Sequence, residues 1–104
     1  MIGDPAAIVL TAHIAHWVDD TPIRTVWLLE CLARHNAGDW GDLYPHDNDA
    51  NSHAHRARAG RIMSRYVVPD ELTDPAEHDD AIWIITDDLA DPDSVTTVLW
   101  PSNY

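Results

Sequence analysis

The hydrophobic pattern changes period along the chain. AAIVL at 6–10 is an unbroken apolar run and reads as a short strand. TAHIAHWVDD at 11–20 is ambiguous: Thr11 is placed to cap a short helix, the favoured reading, and the alternative is that the strand continues through Ile14 to Trp17. Thr21-Pro22 is a stronger start signal, an N-cap residue followed by proline at the first helical position. The helix it opens is expected from Pro22 to about Asn36, stopping near Gly38 as a left-handed cap. At about 100° per residue, Val26, Leu28, Leu29, Leu32 and Ala33 gather on one broad face. Glu30 and Arg34 lie opposite, four apart and in the favourable order for an ion pair.

GDWGDLYP at 38–45 is then a tight connection, its two glycines permitting a backbone that other residues resist, with Trp40, Leu43 and Tyr44 folding back as a plug. A second helix is expected from about Asp47 to Ala59, ended by Gly60, with small residues Ala50, Ala54 and Ala57 at helical spacing. Beyond Gly60 the period becomes two. RIMSRYVVP places Ile62, Ser64, Tyr66 and Val68 on one face, AIWIITDD is a second strand and SVTTVLWP a third, joined by a DLADPD hairpin loop. PDELTDPAEHDD at 69–80 has no apolar period and reads as an acidic surface-loop insertion. The predicted fold is a small single-domain α+β structure over 1–104: an N-terminal strand, two or three helices, then a three-stranded antiparallel β-meander.

Composition narrows the classes. A chain of 104 residues suits one domain with a modest core, here rich in tryptophan. No apolar run approaches the roughly 20 residues of a membrane span. The opening MIGDPAAIVL lacks a basic n-region, so the expectation is a soluble cytoplasmic protein with no membrane partner. Cys31 is the single cysteine and lies in an apolar run, which excludes an internal disulfide and predicts a buried, inert thiol. Eighteen acids against six basic residues give a net charge of −12. That balance disfavours direct nucleic acid binding and leaves two readings, a partner with a basic surface or an adaptation to a biased genome or salty cytoplasm.

RHNAGDWGDL at 34–43, Asn51, GRIMSRY at 60–66, WIIT at 83–86 and VTTVLWPSNY at 95–104 occur in that order. Together they resemble a family of small uncharacterised proteins of bacterial plasmids, phages and other mobile elements, over about two thirds of the chain. The resemblance implies one domain and a mobile-element setting, and no reaction. The sequence departs from the pattern at Asp87 and Asn103, where relatives commonly carry Glu, and in the acidic insertion at 69–80.

Three constellations carry candidate chemistry. His46, Asp49 and His53 fall on one helical face and make a weak candidate for a Zn²⁺ or Ni²⁺ site, without HExxH spacing or a cysteine; no cofactor is expected. Arg34, His35, Asp39, Arg61, Ser64 and Tyr66 are the residues a small nuclease- or transferase-type enzyme would use: His as base, Arg on a phosphate, Ser or Tyr assisting. The structural alternative is that each serves a cap, turn or core. Among the five tryptophans, Trp40 and Trp100 are the expected exposed anchors. No GxSxG, P-loop or GxGxxG occurs. The sequence therefore favours an accessory protein that binds and modulates a host or defence protein, with nucleic-acid mimicry as its sharper form. Asp39, Trp40, Asp42, Asp70, Glu71, Asp74, Glu77, Asp79 and Asp80 form the partner surface, and a homodimer through an exposed meander edge is a third option.

Overall fold

The structure, a computed structural model, describes residues 7–76 and 79–104. Strand β1 (Ala7–Leu10) leads into α1 (Ala12–Val18), α2 (Pro22–Asn36) and α3 (Pro45–Ala57). The strands β2 (Ile62–Val67), β3 (Ala81–Thr86) and β4 (Val95–Leu99) follow. The α+β class holds. The sheet is four-stranded and mixed, in the order β1-β4-β3-β2, because β1 joins β4 in parallel while β2, β3 and β4 pair antiparallel. The expectation of a meander with a separate leading strand is corrected on that point.

Period-two alternation sets the faces of β2 as expected: Ile62, Ser64, Tyr66 and Val68 are all buried. Tyr66 and Val68 join Leu28, Cys31 and Leu32 of α2, Ile14 and Trp17 of α1, Ile82, Ile84 and Val98 of the sheet and Trp100 just after it, while Ile62 packs with Trp40, Leu43 and Ala54. Thr11 caps α1 by accepting the Ile14 N–H at 3.4 Å. Thr21 occupies the N-cap position of α2 without capping it; its hydroxyl donates instead to Asp19 O. α3 begins at Pro45 rather than near Asp47, since proline fits a first helical position, and ends at Arg58 in the left-handed region before Gly60 is reached.

Packing corrects the expectations for the face of α2, for Trp40 and Trp100 and for Tyr44. α2 buries Leu28, Cys31, Leu32 and His35, whereas Val26 and Leu29 point to solvent, so the helix is apolar on both sides. The 69–80 insertion is anchored: a 3-10 turn (Asp70–Leu72) buries Leu72, and Arg24 of α2 donates to the carbonyls of Leu72 (3.0 Å), Thr73 (3.4 Å) and Trp17 (2.8 Å). Trp40 and Trp100, expected as exposed anchors, are 9% and 1% exposed, and Tyr44, expected in the plug, is exposed. The indole N–H groups of Trp17, Trp40, Trp83 and Trp100 find no acceptor among the described residues, a polar cost of this tryptophan-rich interior. Cys31 is buried, and that burial pushes its thiol up to about 12, so it stays protonated.

Candidate functional site

The RHNAGDWGDL segment and β2 meet along the outer edge of the sheet. α2 ends in a Schellman closure: the Gly38 N–H donates to His35 O at 3.3 Å and the Asp39 N–H to Arg34 O at 2.9 Å, with Gly38 at φ +86°. This reversal carries the Asp39 carboxylate onto the Arg34 guanidinium, with Nε–Oδ2 at 2.8 Å and Nη2–Oδ1 at 3.2 Å. Arg34 thus pairs with Asp39 and not with Glu30, because the turn delivers a fork-matched carboxylate that helix spacing cannot. The guanidinium also lies 4.8 Å over the Tyr66 ring, whose hydroxyl donates to Asp39 O at 2.7 Å. Hydrogen bonds from Arg34 and then from the Gly41 amide hold the Asp39 carboxyl below its usual range.

Residues 40–42 then run beside β2 as a one-bridge pseudo-strand, Gly41 against Arg65. Arg65 N–H donates to Trp40 O at 3.1 Å, and Asp42 N–H donates to Arg65 O at 2.7 Å. The Asp42 side chain accepts the Val67 N–H at 3.3 Å. At the other end of the strand, Asn51 of α3 imitates a peptide unit: its Nδ2 donates to Met63 O at 2.6 Å and its Oδ1 accepts Met63 N–H at 3.1 Å. The outward amides of Met63, Arg65 and Val67 are thereby all satisfied, which closes an edge that would otherwise invite another strand. Asn51 is buried, so Asn51→Ala is expected to strand both groups of Met63 and lower stability by about 2 kcal/mol, read by urea denaturation. A loss under about 0.5 kcal/mol would show that water replaces the amide there.

Behind this edge lies a buried polar chain. His35 is 3% exposed; its Nδ1 is 2.5 Å from Ser64 Oγ and its Nε2 2.8 Å from Thr86 Oγ1, which is 2.8 Å from Thr96 Oγ1. A neutral imidazole needs an acceptor on one nitrogen and a donor on the other, and hydroxyls can be either. Burial pulls the His35 pKa down to about 4, so the ring is neutral at pH 7, and burial pushes the Tyr66 phenol up to about 12.

The structure therefore brings Arg34, Asp39 and Tyr66 together at the surface turn, and His35 with Ser64 inside. Arg61 is not with them; it donates to the Tyr104 hydroxyl at 2.8 Å and stacks on that ring. Near Arg61, on the other sheet face, a shallow groove of about 510 Å³ is floored by Ile85, Thr97 and Leu99 and rimmed by Asp87, Asn103 and Tyr104. His46, Asp49 and His53 are exposed on α3, and among the described residues no three His, Cys, Asp or Glu side chains are grouped to hold a metal. His55 instead meets Trp40 edge to face, with ring centroids 5.8 Å apart.

The predicted partner acids are spread over two loops. Asp39, Asp42, Asp70, Glu71 and Asp80 are exposed, while Asp74 and Asp79 are half-buried. Asp74 accepts the Ala76 N–H and Asp79 accepts from the Ser102 side chain, which pins the loop. Glu77 lies outside the described residues. Asp88, in the hairpin loop after β3, accepts the Gly60 and Ala90 amides, which hold its carboxyl below its usual range.

Thr86, Thr96 and Arg24 escaped sequence reasoning. The two threonines carry a legible signal, polar residues at the inward phase of apolar strands. These features define a small α+β domain whose motif residues close a sheet edge and line a buried polar chain. No family model, curated protein or solved structure matches the chain.

Proposed function

We propose that this is an acidic interaction protein that presents ordered carboxylates to the basic surface of a protein partner, in the mobile-element setting its motifs suggest. Modulation of a host or defence protein by mimicry of a nucleic acid is the sharper form. The observation that carries the reading is the state of the carboxylates: many are exposed, and several are fixed by backbone donors, so charge is held in place at a net −12. A preordered array loses little entropy on binding. The competing reading, a small nuclease- or transferase-type enzyme, draws less support, because His35, Ser64 and Tyr66 are each at most 3% exposed and Arg61 is elsewhere.

The test is affinity capture from the native host, with the captured partner then titrated against wild type and against the triple variant Asp70→Asn, Glu71→Gln, Asp80→Asn. These three side chains are exposed and make no hydrogen bond among the described residues, so the fold is expected to survive their neutralisation. Affinity is expected to fall about tenfold or more between about 50 and 300 mM salt, and to fall comparably in the variant. A partner held equally well by both proteins at both salt concentrations would remove the charge-based reading.

A further inference from the structure

α2 carries an apolar stripe that the fold does not use. Ile23, Val26 and Leu29 are 61%, 55% and 59% exposed, and Ala33 and Ala37 continue the stripe towards the helix C-terminus. The stripe lies opposite the face that buries Leu28, Cys31, Leu32 and His35. Three large aliphatic side chains aligned on one exposed helix face are the pattern of a contact surface, not of scattered surface residues.

Two properties of the stripe point to its occupant. The first is charge. In a chain of net charge −12, the fifteen residues of α2 hold one carboxylate, Glu30, against two guanidinium groups, Arg24 and Arg34. Along the stripe itself the charged groups are Glu30 and the internally neutralised Arg34–Asp39 pair, so two copies can meet there with little like charge opposed. The second is shape. The side chains are large in the N-terminal half and small in the C-terminal half. Run against itself in the opposite direction, the stripe sets Leu29 on the partner's Ala33 and Val26 on the partner's Ala37, large into small. Run parallel, it would oppose large to large and leave space between the alanines. The antiparallel register also brings Glu30 towards the partner's Arg34, on the same flank of the stripe. Arg34 uses two of its five N–H donors on Asp39, so three remain.

We propose that α2 is the contact of a two-fold homodimer in which the two helices pack antiparallel through Val26, Leu29 and Ala33. Such an isologous contact buries each stripe against its own copy. It is independent of the acidic loops, and it does not use the edge of β2, which is already closed.

Sedimentation velocity from about 5 to about 500 µM tests it, at concentrations bracketing a micromolar dimer. Wild type is expected to pass from monomer to dimer across this range. Leu29→Asp is expected to remain monomeric with unchanged near-ultraviolet circular dichroism, since Leu29 is exposed and supports no core contact. Oxidation of the double variant Leu29→Cys, Ala33→Cys is expected to yield a covalent dimer, and Leu29→Cys alone is not; the buried Cys31 does not compete. Wild type that stays monomeric throughout overturns self-pairing and leaves the stripe to a different protein. A dimer indifferent to Leu29→Asp overturns the assignment to α2, and a covalent dimer from Leu29→Cys alone overturns the antiparallel arrangement.

Discussion

Gly41→Ala is expected to lower stability by about 4 kcal/mol, a large part of what a domain of this size possesses. Gly41 has φ +71°, where an L side chain is strained, and a Cβ there would lie 2.2 Å from Arg65 O and 2.6 Å from Tyr66 Cδ1. The first obstacle is backbone in the middle of β2 and cannot swing away. Relief requires residues 40–42 to leave the strand, which gives up the Arg65–Trp40 and Asp42–Arg65 hydrogen bonds and uncovers Trp40. The companion variant Gly38→Ala separates conformational strain from contact. Gly38 is also left-handed, at φ +86°, but its Cβ would meet only the His55 side chain at 3.4 Å. Its cost is expected near about 1 kcal/mol, that of the left-handed conformation itself. Urea denaturation of both variants checks this. Equal losses would mean that the GDWGD segment is a free turn, not a strand locked to β2.

That comparison bears on how much of the fold the sequence revealed. The period-two run from Ile62 to Val68, the Thr21-Pro22 start and the Gly38 stop are local signals, and local geometry honours them. Where an answer depended on what lies across space, the pattern was silent. α2 carries apolar residues on two opposite faces, and periodicity cannot say which one meets the sheet. β1 pairs with β4 across most of the chain length, a partnership that no local signal encodes. The 69–80 insertion looks solvated by composition, yet the burial of Leu72 and two carbonyl contacts from Arg24 tie it down. Arg34, His35, Asp39, Arg61, Ser64 and Tyr66 read as one set, which the structure divides into Arg34, Asp39 and Tyr66 at the turn and His35 with Ser64 inside, with Arg61 apart. The burial of His35 was not legible, since a histidine beside a helix C-terminus reads alike whether it faces water or a pair of hydroxyls. Asn51 shows the same limit: its residue type fits a polar helix face, and only the position of Met63 turns it into a backbone surrogate.

Acid is expected to destabilise the protein between pH 6.5 and pH 4 through His35. In the unfolded chain this histidine titrates near about 6.5, while in the folded protein burial lowers its pKa to about 4. Between those values the unfolded state binds a proton that the folded state refuses, so stability rises with pH and is lost as pH falls through the window. The full difference corresponds to about 3 kcal/mol by pH 4. The carboxyls of Asp39 and Asp88 are likewise lowered from 3.8, so the stability they contribute is also lost as pH falls, but mainly below this window and only at its acid end within it. His35→Gln separates the effect from the rest of the chain. Glutamine can still meet the hydroxyls of Ser64 and Thr86, but it carries no titrating proton. The variant is expected to be less stable than wild type at pH 7, by about 1–3 kcal/mol, and much flatter between pH 6.5 and 4. Urea denaturation at half-unit pH steps gives both curves. Parallel curves would mean that His35 takes up its proton in the folded state as readily as in the unfolded one. The imidazole would then face water, and the chain from Ser64 to Thr96 would be a path open to solvent.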